Sequence, residues 1–288
     1  MAEAGVTPLG CWLVDKPAGP TSHDVVARIR GRLGRRTRVG HAGTLDPFAT
    51  GLLVVLVGRA TRLARYLSDL DKTYRAAVRF GATSPTGDPE GPVEEMGPPP
   101  ERAAVERAVA GLVGPSVQRV PAFAAVKVGG QPLYRSARRG EAAERPERPI
   151  VVHEARLEGY DAGAGVADLV VRCSKGTYLR QIAVDLGEGL GCGGYCAALR
   201  RLAVGDLSVD EAVAPEEVEA VGGLPLERAL GHLERRSLSD EEARALAHGR
   251  PVAGEARGPV ALLAARTLVA VGEPDGAGML RPAVVLAP

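Results

Sequence analysis

Two hydrophobic periods run through this chain in irregular order, which argues against a simple parallel strand–helix–strand sheet. Tyr74, Ala76, Val78 and Phe80 alternate with their neighbours, as do Val120, Ala122, Ala124, Val126 and Val128. That is the period of a half-buried strand. Further short strands are expected at 11–14, 52–57, 150–157 and 167–173. Helical spacing governs Val25, Val26, Ile29 and Leu33, with Ser22 as the expected N-cap, and also Leu63, Tyr66, Leu67 and Leu70. Val105, Val109 and Leu112 predict a helix closed by Gly114. Leu179, Ile182, Ala183, Leu186 and Leu190 predict another that ends among Gly187, Gly189 and Gly191. The expected class is α+β, with a mixed, largely antiparallel sheet flanked by helices.

At 288 residues the chain exceeds the usual single domain. The proline- and glycine-rich stretch 85–100 reads as a loop. Between 210 and 234 the acidic run, with Pro215, Gly222, Gly223 and Pro225, reads as helices leading to a boundary. Beyond it, Ser239 and Glu242 have capping-box spacing for a short helix that stops at Gly249. Strands are expected near 260–264, 267–271 and 279–286. The predicted division is therefore 1–234 and 235–288, the second part a small barrel-like β module.

The formal net charge is only +1, yet the charges are sorted. No acid occurs between Val25 and Thr44, where Arg28, Arg30, Arg32, Arg35, Arg36 and Arg38 crowd together. A basic stretch without compensating acids favours a polyanionic partner. The opening residues lack the pattern of a secretory signal, and the run 52–57 is far shorter than the roughly 20 residues that span a bilayer, so a cytoplasmic location is expected. Cys11, Cys173, Cys192 and Cys196 form no CxxC pair and have no histidine ligands nearby, which predicts reduced structural thiols and no metal site. Aromatic residues make up only 3% of the chain, so Tyr74 and Tyr178 stand out individually.

The segment 40–51 reads GHAGTLDPFATG. Pro47 disfavours the α region for Asp46, and the surrounding glycines permit tight turns. The Asp46 carboxylate is thus expected on an extended loop just before an apolar strand, where a rigid scaffold can offer a side chain to a ligand.

This string resembles the motif GHxGTLDPxATG around the catalytic aspartate of the TruB family, the tRNA pseudouridine-55 synthases. Val14-Asp15-Lys16-Pro17 with Thr21-Ser22-His23-Asp24 is similar to the family's opening motif, and Lys72-Thr73-Tyr74 to its stacking-tyrosine motif. Residues 121–134 resemble its PxxSAxKxxGxxLY segment. Cys173-Ser174-Lys175-Gly176-Thr177-Tyr178-Leu179-Arg180 resembles CSKGTYIR, followed by Asp185-Leu186-Gly187 and Leu199-Arg200-Arg201-Leu202. The order holds over roughly four-fifths of the chain. Ala42, Phe48 and Phe123-Ala124-Ala125 depart from the usual pattern without touching the aspartate, the tyrosines or the arginine.

The resemblance implies the pseudouridine synthase fold with a C-terminal PUA-like RNA-binding module. It implies isomerisation of a uridine in the tRNA T-arm by Asp46, acting at C1′ as a nucleophile or at C2′ as a base, with no cofactor and no metal. By the same resemblance Arg180 is the counter-charge, Tyr74 stacks on the uracil and Tyr178 hydrogen-bonds near the reacting base. His41 occupies space near the extruded base, and Leu199 lines the uracil pocket. A monomer with no membrane association and no obligate protein partner is expected. The alternatives are a guide-RNA-dependent relative and a non-catalytic tRNA-binding or folding factor. A glycosidase would need a second carboxylate about 5–10 Å from Asp46. Asp69, Asp71 and Asp88 are available, but no motif pairs one with it.

Overall fold

The computed structural model describes residues 9–141 and 144–286. In chain order the first elements are β1 (Gly10–Lys16), α1 (Ser22–Leu33), β2 (Val39–Ala42), β3 (Thr50–Val57), α2 (Ala64–Ser68) and β4 (Lys72–Phe80). There follow α3 (Arg102–Ala110), β5 (Gly114–Arg119), α4 (Leu133–Arg138), β6 (Glu147–Asp161), β7 (Val166–Cys173), α5 (Leu179–Gly189) and β8 (Gly194–Val204). The last group comprises β9 (Glu234–Ser237), α6 (Asp240–Ala247), β10 (Val252–Ala253), β11 (Val260–Ala264), β12 (Thr267–Pro274) and β13 (Met279–Val285).

The main sheet has nine strands and runs β1-β3-β8-β4-β7-β6-β5, with β2 paired to β3 and the two-residue strand Leu207–Ser208 paired to β8. Every join is antiparallel except β3 with β8, where Arg200 and Arg201 lie opposite Thr50 and Gly51. The fold is the expected α+β with a mixed, largely antiparallel sheet. β3 explains its own unbroken apolar run: Leu52, Val54 and Leu56 enter one cluster while Leu53, Val55 and Val57 enter another with Val25 and Ile29 of α1. A strand covered on both faces needs no alternation. On the other half of the sheet, Tyr74, Ala76, Val78 and Phe80 pack against Leu179, Ile182, Ala183 and Leu186 of α5.

The C-terminal sheet runs β9-β11-β12-β13-β10. Ser239 caps α6 through the expected reciprocal box with Glu242. One face of this sheet packs on the main body: Ala261, Leu268, Val271 and Val284, with Leu286 after β13, join Leu52, Leu56, Leu63 and Leu67 in one cluster.

Four expectations differ in detail. Residues 120–126 are not a strand; β5 ends at Arg119, and Pro121 removes a donor that a continued ladder would need. α3 stops at Ala110 with Gly111 as its C-cap, so Gly114 opens β5 instead of closing the helix. The acidic stretch holds turns, a short 3₁₀ turn at Val209–Glu211 and a single four-residue helix, Leu226–Ala229. The N-cap of α1 is Thr21, whose side chain accepts from the Asp24 amide. Ser22 is released for another task described below. Among the described residues no helix is long and apolar enough to cross a membrane.

Candidate active site

Asp46 lies on the loop between β2 and β3, and that loop is held by groups from three other elements. The Ser22 hydroxyl on α1 donates to the Leu45 carbonyl at 3.1 Å and accepts from the Leu45 amide at 2.9 Å. Lys16, fully buried at the end of β1, donates to the carbonyls of Pro17 (2.9 Å), Pro47 (3.1 Å) and Ala49 (2.7 Å). Burial lowers its ammonium to about 8 against the pull of Asp46 and Glu90. From β8, Arg201 donates to the carbonyls of Leu52 (2.7 Å) and Gly43 (3.0 Å). Gly51 permits this approach: at φ 99° its missing Cβ would sit 2.3 Å from the Arg201 carbonyl oxygen.

The Asp46 carboxylate meets Arg180 in a two-pronged pair, Nε to Oδ2 at 2.9 Å and Nη2 to Oδ1 at 3.3 Å. Arg180 sits in the first turn of α5 and is almost wholly buried, whereas the Asp46 side chain keeps 35% of its surface open. The guanidinium also donates to the carbonyls of Thr86 (2.8 Å) and Phe123 (3.1 Å), and its Nη1 forms an ion pair with Asp88 Oδ2 at 3.1 Å. Four of the five guanidinium N–H groups thus donate hydrogen bonds, and the ion pair with Asp88 adds a second carboxylate beside the same cation. Asp88 is itself buried and accepts from the Thr86 hydroxyl (2.6 Å) and the Glu90 amide (3.1 Å). Desolvation raises the Asp46 carboxyl above the ordinary range; Arg180 opposes this, Asp88 adds to it, and Lys16 opposes it more weakly.

Around the open side of Asp46 lies a cleft of about 400 Å³ lined in part by Lys72, Tyr74, Tyr178, Arg180, Leu199 and Arg201. Tyr74 comes from β4, Leu199 from β8 and Tyr178 from the residue that caps α5. The antiparallel join of β4 to β8 sets Leu199 opposite Ala76. Burial raises the Tyr74 phenol, and the nearby Arg201 charge opposes that. Two tyrosines, one carboxylate and several fixed donors suit a flat polar ring attached to a sugar.

The family model for the N-terminal domain of TruB family pseudouridylate synthases matches residues 30–179, and that for the tRNA pseudouridylate synthase B C-terminal domain matches 180–230. The chain belongs to the TruB pseudouridylate synthase family. It is similar to the tRNA pseudouridine synthase B of Thermobifida fusca, with 44% identity covering 96% of this chain and 98% of that protein. To the protein of the same name from Synechococcus sp. the identity is 43%, covering 96% and 97%. Among solved structures, the archaeal box H/ACA sRNP Nop10-Cbf5 complex matches with a TM-score of 0.69 and 25% identity over 92% of this chain and 78% of the other. An H/ACA RNP bound to a substrate RNA containing 2′-deoxyuridine matches at 0.74 and 24% identity, covering 97% and 85%, and shares the fold.

Of the six residues singled out from the family pattern, the structure brings Asp46, Tyr74, Tyr178, Arg180 and Leu199 to one cleft. His41 lies elsewhere. It sits on β2 opposite Val55 and lines a separate shallow depression with His23, Asp24, Val26 and Arg30. Its ring meets His23 edge-on at 5.4 Å, and its Nδ1 is buried without a hydrogen-bond partner. Burial first, then His23 and Arg201, lowers it to about 4. Sequence reasoning passed over Lys16, Asp88 and Arg201 as site residues. Lys16 and Arg201 stood inside quoted family motifs, which was a usable signal; Asp88 had none. Asp88 faces Arg180 instead of serving Asp46 as a second glycosidase-type carboxylate.

Proposed function

We propose that this protein converts one uridine of transfer RNA, at position 55 in the T-arm, into pseudouridine, with Asp46 as the sole catalytic carboxylate and no cofactor. The observation that carries the reading is the Asp46–Arg180 pair at the mouth of a tyrosine-lined cleft. The names of its relatives support a tRNA substrate.

The reaction breaks the N1–C1′ bond, turns the uracil and joins C5 to C1′, after which C5 loses its proton. An ionised carboxylate can add to C1′ as the bond breaks or take the proton from C2′; both routes use the charge that Arg180 protects. Tyr74 would stack on the extruded uracil, Leu199 would close its apolar edge, and Tyr178 would hydrogen-bond near the reacting ring. From its separate depression, His41 would occupy space near the flipped nucleotide.

Residues 1–234 would form the catalytic part and 235–288 a PUA-like module that grips RNA. The basic stretch on and after α1 would meet phosphates. Arg28 and Arg32 face Glu216 at 3.8 Å and Glu219 at 3.6 Å. No carboxylate among the described residues comes within ion-pair distance of Arg30, Arg35, Arg36 or Arg38. The protein would act as a cytoplasmic monomer without a protein partner.

The test is to incubate the purified protein with unmodified tRNA, without guide RNA or added metal, and to map pseudouridine. Formation at one T-arm position is expected. Product that appears only after a guide RNA is added would favour the guide-dependent reading, and tRNA binding with no product under either condition would favour a folding factor.

A further inference from the structure

Two side chains that do not line the cleft hold one residue that does. Gln118 on β5 is buried at 2% exposure and takes both backbone groups of Tyr178: its Oε1 accepts from the Tyr178 amide at 2.8 Å, and its Nε2 donates to the Tyr178 carbonyl at 3.1 Å. A side-chain amide here imitates a paired strand. It does so where the backbone is still extended, at φ −104° and ψ 110°, and about to enter α5.

Arg148 on β6 holds the other end of the same residue. Its guanidinium carbon lies 5.6 Å from the centroid of the Tyr178 ring, within reach of a cation–π contact. Its Nε is buried and has no hydrogen-bond partner, so no hydrogen bond there explains its placement. Gly176 leaves the space it needs: at φ 79° an added Cβ would lie 3.0 Å from Arg148 Nη1.

We propose that Gln118 and Arg148 are positioning residues for the reaction, Gln118 through the backbone of Tyr178 and Arg148 through its ring, together setting where the phenol meets the uracil. The inference rests on the uridine-isomerising reading above. β5 also runs into the segment whose Phe123 carbonyl accepts from Arg180. One edge strand therefore registers both Tyr178 and the counter-charge of Asp46.

The test is a double-mutant cycle read by single-turnover isomerisation at saturating enzyme, beside tRNA binding and thermal unfolding. Gln118→Leu and Arg148→Met should each slow the step by about 10- to 100-fold, the scale of a misplacement near 1 Å, while tRNA affinity changes by less than about threefold. Gln118→Glu, which keeps the acceptor for the Tyr178 amide, and Arg148→Lys, which keeps the charge, should each recover part of the rate. In a Tyr178→Phe background the same substitutions should cost less than about twofold, because the oxygen they position is gone. Equal losses in both backgrounds, or unchanged rates in the single variants, would overturn the proposal while leaving the wild-type activity standing. A wild-type protein that makes no pseudouridine would overturn the reaction reading and this inference together. Should Gln118→Leu not fold, the Arg148 variants, on a different strand, decide the matter alone.

Discussion

Residues 40–51 feed two surfaces of different character. At Asp46 charges are dense and paired: Arg180 donates four hydrogen bonds, Asp88 is buried against it, and Lys16 is anchored on three carbonyls. At His41, five residues earlier, a ring with an unpartnered nitrogen stands beside one other histidine. The first surface draws on α5, β1, β8 and the loop after β4, so a change there disturbs several buried groups. The second needs only β2 and α1. The contrast teaches that adjacency in a motif does not mean a shared environment. It predicts chemical consequences at Asp46 and binding consequences at His41.

Asp46→Asn should show the largest effect. It keeps the shape of the side chain and removes its charge, so pseudouridine should disappear in single-turnover assays while filter binding still detects tRNA, because most contacts lie on the RNA backbone. Sustained turnover by this variant, with deamidation excluded by mass spectrometry, would erase the chemical half of the contrast.

Next comes Arg180→Met, which strands the buried Asp88 as well as Asp46. A stability loss of about 3–5 kcal/mol in urea unfolding is expected, together with severe loss of rate. Arg180→Lys should restore only part of the rate, since an ammonium cannot reproduce the planar fork.

The pH dependence follows from direction. The Asp46 carboxyl is raised, chiefly by burial, and the proposed reaction uses its ionised form. The wild-type rate should therefore begin to fall on acidification above the value near 3.9 of a free aspartate. Arg180 is the largest influence holding that carboxyl down. In Arg180→Met the acid limb should move to higher pH, and raising the pH should recover activity that the wild type has no need to recover. A limb that stays in place would show that Arg180 does not tune Asp46.

A smaller effect is expected at His41. Held down near 4, its imidazole is neutral throughout pH 6–8. His41→Ala should weaken tRNA binding by about tenfold or less and leave the shape of the pH–rate profile unchanged over that range. A loss at saturating enzyme as large as that of Asp46→Asn would collapse the distinction between the two surfaces.

The smallest effect concerns the arginines beside the His41 depression. Replacing Arg30 and Arg36 with alanine should flatten the slope of log affinity against log salt by about one to two units if each meets one phosphate. Replacing Arg28 and Arg32, already facing Glu216 and Glu219, should flatten it less.

Much of this molecule was legible as a string. Alternation located β4, apolar continuity located β3, the stripe from Leu179 to Leu190 located α5, and the Ser239/Glu242 box located α6. These are local signals, because burial of one face imprints a period on neighbouring residues. β8 escaped notice since Arg200 and Arg201 interrupt its apolar pattern, although Arg201 is buried at 1% exposure by donating to carbonyls across the sheet. The family resemblance paired Arg180 with Asp46 as its counter-charge, but nothing in the residues of either segment gives the geometry of that contact.

That contact spans 134 positions, and the Arg201 bond to Gly43 spans 158. Such pairs exist because charges removed from water must find partners wherever the packed sheet and helices bring them. The residue types, most of the elements and the family resemblance were therefore readable along the chain. The separation of His41 from Asp46, the burial of Asp88 against Arg180, and the hold of Gln118 on Tyr178 followed only from long-range packing, where desolvation sets partners that no local period records.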